Sequence, residues 1–322
     1  MSIPLYILKR ILQAIPLLLL VSLISFLIIR LSPVDPLAEI KLNPAISPQT
    51  LKAEKERLGL DKPLYIQYGK WLKNTAQGNL GISTSGEKVA DKLMERIPNT
   101  LLLTISTILL TWLFGIPLGI FAALNWKKPA DRILTMLSSV GMAIPSFFFA
   151  LLLLIFAVKT GWFPVGGLTS PGFSGYSPLH KVLNIAHHLF LPVVVLFTIS
   201  LAGLQRQMRG NLLDVLESDY IKLARAKGLP ENKVIYKHAV RNAINPMVTL
   251  IGFEFASLLS GAALTEYVFQ FPGLGRLVLE AVIKSDINLV MASLMMGAVM
   301  LVIGNLIADI LLKLVDPRIT IE

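Results

Sequence analysis

The chain has 322 residues, 54% of them hydrophobic and only 16% charged, and its mean hydropathy is +0.67. Those values exclude an ordinary soluble domain and require lipid around much of the surface. The net charge of +10 is spread over connections and tails, as membrane topology demands, and calls for no nucleic acid.

Six apolar runs follow in chain order: 11–29, 97–126, 133–158, 182–205, 242–265 (interrupted by Glu254) and 287–308. A hydrocarbon core needs about 20 helical residues, so each run predicts a crossing. The first follows Lys9 and Arg10, as a secretion signal would, but no A-x-A site succeeds it and it is expected to remain as an anchor. The long connection after it, 30–100, is predicted to fold partly, with short amphipathic helices at Leu51–Leu60 and Pro63–Asn74 and a turn at Gly78–Gly81. Pro117, Pro145 and Pro192 interrupt the second, third and fourth runs, where each permits a kink.

Orientation follows from the short connections. Asn125–Arg132 holds Lys127, Lys128 and Arg132 against one acid, and 206–241 holds eight basic residues. The alternating connections, 159–181 and 266–286, hold two each. Basic residues near span ends resist translocation, which predicts cytoplasmic termini and an external first connection. In the outward connection 159–181, Gly166-Gly167, Pro171-Gly172 and Gly175 read as turns, with Trp162 and Phe163 at the interface.

The segment 219–230 reads as a short capped helix. Ser218 or Asp219 caps its start, Gly228 supplies a left-handed residue at its end, and Pro230 prevents continuation. A second helix is expected from about Glu231 toward Ala243, ending near Asn245-Pro246. Ala224 and Ala226, small beside cationic Lys222, Arg225 and Lys227, let a partner approach closely. A basic interfacial helix held by anionic lipid reads the same composition equally well.

Inside the spans, Glu254 is the one central acid. It reads either as lining a water-filled path for a cationic group or as a hydrogen-bonded structural carboxylate. Asp309 is expected to pair with Lys313 at i, i+4, and Met291, Met295, Met296 and Met300 read as packing. The chain has no cysteine, which excludes disulfides and thiolate metal sites. Its four histidines lie in connections or at span ends, too shallow for a haem held between helices. No G-x-x-x-x-G-K-[ST] or H-E-x-x-H occurs, so the chain carries neither a phosphate-cradling loop nor a zincin motif.

Ala224-Arg225-Ala226-Lys227-Gly228-Leu229, followed by His238-Ala239-Val240-Arg241-Asn242-Ala243 and Pro246, resembles the permease subunits of binding-protein-dependent ABC importers, in the dipeptide, oligopeptide and nickel branch. Tyr6–Arg10, the stretch Gly261–Arg276 with Glu266 and Phe271-Pro272-Gly273-Leu274-Gly275-Arg276, and Asp316-Pro317-Arg318 are similar to the same branch, and the resemblance covers nearly the whole chain. Lys222 and Leu223 depart from the general importer signature, and Pro33-Val34-Asp35-Pro36 departs from the branch's usual Pro-Gly-Asp-Pro.

The resemblance implies an all-α polytopic membrane protein, a type I importer transmembrane domain with six transmembrane helices and both termini cytoplasmic. Residues 1–30 form a tail and first helix, 31–96 an external region, 97–312 the transporter domain with its coupling loop at 206–241, and 313–322 a tail. It further implies that Asp219, Tyr220, Lys222, Ala224, Arg225, Ala226, Lys227, Gly228, Leu229 and Pro230 couple to an ATPase. The implied partners are a second homologous permease, two ATP-binding subunits that hold ATP and Mg, and an external substrate-binding protein. No cofactor or catalytic residue is expected in this chain, and the expected location is the inner, cytoplasmic membrane. Di- or oligopeptides are the expected cargo, with nickel, glutathione and oligosaccharides as alternatives. A secondary transporter would show paired intramembrane charges or related halves, which the sequence lacks.

Overall fold

The computed structural model describes residues 3–31, 47–57 and 61–315. Among them the only β pairing is an isolated bridge between Ile82 and Lys88. The helices in chain order are α1 (Ile3–Leu31), α2 (Pro48–Arg57), α3 (Leu64–Ala76), α4 (Val89–Leu124), α5 (Pro129–Ala143), α6 (Ser146–Thr160), α7 (Pro178–Leu216), α8 (Asp219–Ala226), α9 (Arg241–Val268), α10 (Leu274–Ile283) and α11 (Ile287–Val315). Pro33–Pro36 and Asp316–Arg318 lie outside the described residues, as does part of the expected helix at Leu51–Leu60.

Four helices, α1, α4, α7 and α11, are long and apolar enough to cross a membrane, and a fifth crossing results if α5 and α6 are taken as one span. The sixth expected run is α9, a helix of 28 residues with Glu254 at its middle. It is long enough to cross, at about 42 Å, but falls outside that set.

The third expected span is not one helix. Its chain turns by 94° between α5 and α6, because Ile144 is extended (φ −83, ψ 121) as the residue before a proline prefers to be, and Pro145 then opens α6 as its N-cap. Pro117 and Pro192, by contrast, sit inside the unbroken helices α4 and α7.

The bundle is held by close backbone approach. Against α7, a Cβ at Gly119 of α4 would stand 2.6 Å from the Met208 Cβ and 2.8 Å from the Gln205 carbonyl. The spacing Gly115-x-x-x-Gly119 therefore lets two helices meet without intervening side chains, the usual way apolar helices gain packing in lipid. α11 lies between α1 and α9. At its far end Tyr6 donates to Asp309 at 2.7 Å and Arg10 reaches the same carboxylate at 2.8 Å. Asp309 thus pairs with α1; the Lys313 side chain, its expected i, i+4 partner, lies outside the described residues.

At the opposite end, Asp286 precedes α11 and caps it, accepting from Leu289 N at 3.1 Å. The same carboxylate accepts from Ser83 Oγ and from Thr84 N at 2.8 Å, so it holds the turn that leads into α4. Val89 and Leu93 of α4 then enter a shared core with Leu277 and Ala281 of α10.

Candidate functional site

α8 is amphipathic over eight residues. Ile221 and Ala224, three apart, face inward into a core shared with Met208 and Leu212 of α7, Val234, and Ala243 and Met247 of α9. Full burial of Ile221 contributes about 1.5–3 kcal/mol to holding α8 on the bundle.

The helix end has the geometry that its sequence predicts. Gly228 adopts φ +74, Gly228 N donates to Arg225 O at 2.9 Å and Leu229 N to Ala224 O at 3.4 Å, which together form a Schellman motif. The start differs from expectation. Ser218 has the extended backbone of an N-cap but its side chain caps nothing; its hydroxyl donates to Val215 O at 2.6 Å. Asp219 pairs with Lys222 at 3.1 Å instead.

The outward face carries Asp219, Tyr220, Lys222, Arg225, Ala226, Lys227, Gly228 and Pro230, all exposed, with Leu229 half-buried. Ala224 is on the inner face, so it admits the chain's own neighbours. Tyr220, Leu223 and Tyr236 are exposed apolar groups on this segment and the one after it; the sequence marked Leu223 only as a departure from the importer signature and did not mark Tyr236, although Tyr220 and Leu223 are one turn apart. Arg225 closes the far end with hydrogen bonds to Glu231 at 2.7 and 3.2 Å, and this guanidinium holds the Glu231 carboxyl below the usual carboxylate range.

No independent second helix ends at Asn245-Pro246. Residues Lys233–Val240 form a π-helical run that continues directly into α9, with Pro246 inside that helix. Asn242 donates to Tyr220 OH at 3.1 Å, so α8 is tied to the start of α9.

Glu254 lies 12 residues further along α9, about 18 Å from that tie. Trp112 Nε1 of α4 donates to Glu254 Oε2 at 2.8 Å, and the neighbouring Phe253 is exposed. α8 and Glu254 are therefore separate places, linked through the start of α9.

A second carboxylate proves more elaborately held. Glu266 is fully buried and accepts from Thr100 Oγ1 at 2.9 Å and from Arg276 N at 2.9 Å. Thr100 in turn accepts from Leu274 N at 2.7 Å. A Cβ at Gly273 would collide with the Glu266 carboxylate, and one at Gly275 would stand 2.6 Å from Ala263 Cα. The run Phe271–Arg276 is thus a wrap around Glu266, and its two glycines are there because the approach leaves no room.

The match to known proteins follows the same layout. Residues 115–321 match the model of the family described as binding-protein-dependent transport system inner membrane component, and residues 4–106 match the N-terminal model of such membrane components. The chain is 41% identical over 320 residues to the oligopeptide transport system permease protein AppB of Bacillus subtilis, covering 98% of each chain. It is 37% identical over 314 residues to the di/tripeptide transport system permease protein DppB of Pseudomonas aeruginosa, covering 93% of this chain and 94% of that one. It is 35% identical over 316 residues to the glutathione transport system permease protein GsiC of Escherichia coli K12, covering 98% of each. A multi-pass helical chain matched from end to end in this way belongs to the family of binding-protein-dependent transport system inner membrane components.

Proposed function

We propose that this chain is the transmembrane permease subunit of an ATP-driven importer of di- or oligopeptides in the inner membrane. The carrying observation is α8: a short helix anchored by Ile221 and Ala224 that presents Tyr220, Leu223 and Lys227 outward at one end of the bundle. Such a face suits docking onto an ATP-hydrolysing subunit, and the tie to α9 carries its displacement into the spans as a rigid-body motion. ATP and Mg bind to the partner ATPases, which perform the hydrolysis. The path is completed by a second, similar permease, and cargo is delivered by an external binding protein.

In this reading six helices cross the membrane, α9 being the fifth, and both ends are cytoplasmic. Glu254, midway along α9, faces the path and is oriented by Trp112. Peptide cargo is favoured by the names of the relatives at 41% and 37% identity; glutathione, itself a short peptide, follows from the third.

The test is co-purification of the tagged chain in mild detergent with identification of its bound subunits, followed by ATPase assays with di- and oligopeptides, glutathione and nickel. Recovery of an ATPase pair and stimulation by peptides is expected, and Leu223→Asp should abolish recovery while leaving membrane insertion intact. A chain that purifies alone and transports without ATP overturns the proposal.

A further inference from the structure

At the end of the bundle away from α8, a cavity of about 450 Å³ opens between the last turn of α1, helix α3 and the first turn of α11. Its size is that of a small-molecule site. α3 lies against α1, with Tyr68 OH 2.8 Å from Ser22 Oγ and its ring 5.4 Å from that of Phe26. The floor is apolar, formed by Phe26, Leu80, Ile287 and Met291.

The charged lining is Arg30, Lys62 and Lys70 against the single carboxylate of Glu56. The Arg30 guanidinium lies over the Phe26 ring at 5.6 Å. Three buried polar atoms of this lining, Arg30 Nε, Trp71 Nε1 and Gln67 Oε1, have no hydrogen-bond partner among the described residues. Two are N–H donors, and buried donors are rarely left unpaired without an unfilled role. None of these groups belongs to the coupling helix or to Glu254.

We propose that this cavity binds a phosphate group presented by a membrane phospholipid. Arg30 and Trp71 donate to the phosphate oxygens, Gln67 Oε1 accepts from a headgroup hydroxyl, and Lys62 and Lys70 balance the charge at the rim. The apolar floor receives the first carbons of the acyl chains, which a free anion would leave unused. Arg30, at the end of a crossing helix, sits where such headgroups lie.

The test is native mass spectrometry of the full-length chain, titrated with phosphatidylglycerol, with diacylglycerol of the same chains, and with inorganic phosphate or glycerol 3-phosphate. The expected result is one retained phosphatidylglycerol, no retained diacylglycerol, and no displacement by the soluble phosphates. Arg30→Gln should weaken retention about tenfold, the loss of one charge-assisted contact. Trp71→Phe, which keeps the ring and removes only the N–H, should weaken it less, with thermal unfolding in detergent unchanged. Equal retention of diacylglycerol, or equal retention by both variants and the parent, overturns the proposal. Displacement of the lipid by millimolar phosphate would assign the cavity to a soluble anion and overturn the lipid source.

Discussion

Gly273 and Thr100 show how a single residue type can be dictated by one buried carboxylate. Gly273→Ala forces the Phe271–Arg276 wrap away from Glu266, an overpacking that should cost about 1–3 kcal/mol, read as a lowered unfolding temperature in detergent. Thr100→Val removes both the donor to Glu266 and the acceptor of Leu274 N, leaving buried groups unpaired at about 1–3 kcal/mol. Unchanged unfolding in both variants would mean that the wrap is not formed in the membrane. At Glu231 the sign of the pH effect is fixed by its lowered folded value. The bond to Arg225 contributes above the unfolded carboxyl value of about 4.3 and is lost as pH falls through the lower folded value. Side chains exposed by 42% and 54% keep that contribution small. Carboxyl-selective NMR of the chain in nanodiscs should give a Glu231 midpoint below about 4.3, and a midpoint at or above it would dissolve the pairing.

At the scale of elements, α8 is the most legible part of the fold. Gly228 and Pro230 mark its end, and the Schellman bonds lie where the glycine predicts them. Gly228→Ala places a Cβ at φ +74, a strain of about 1–2 kcal/mol. If α8 couples to an ATPase as proposed, this variant should lower peptide uptake more than ATP hydrolysis at matched protein levels; equal loss of both, or of neither, would count against that role.

The inward turn of Ala224 was not legible from composition, since only the tertiary neighbours Val234 and Met247 decide which face of a short helix is inner. The 94° break at Pro145 was legible as a proline but not as a bend, because Pro117 and Pro192 stand in equally apolar runs and stay helical. What differs is packing: α5 and α6 each lie against α7, and α6 also meets α9. Gly115 and Gly119 drew no notice in the sequence, because only the partner helix, with Leu204 and Met208 against them, shows that the spacing serves close approach. Glu266 and Phe271–Arg276 were visible in the sequence as a stretch resembling the importer branch but not as a wrap, since the contacts between them form only when the chain turns back after α9.

Across the whole molecule, Glu254 lies midway along α9 and α8 touches only the start of that helix, through Tyr220 and Asn242, so the two are testable separately. Glu254→Gln keeps the bond from Trp112 Nε1 available while removing the charge. If Glu254 lines the path, uptake of cationic peptides should fall several-fold more than that of neutral ones, about 1 kcal/mol for a fivefold difference. An equal effect on both cargo classes assigns it to structure.

The bond from Tyr6 to Asp309 joins residues 303 apart in sequence, and that from Ser83 to Asp286 joins residues 203 apart. Both ends of α11 are thus fastened to parts of the chain made long before it. At a synthesis rate of about 5–20 residues per second, α1 waits roughly 15–60 s for its partner. During that interval Arg10 and Tyr6 lack Asp309, and the Ser83 turn, once made, lacks Asp286. Completion of the last helix is therefore the event that locks the bundle, and a nascent chain stopped before residue 286 should be cleared from the membrane far faster than the finished one.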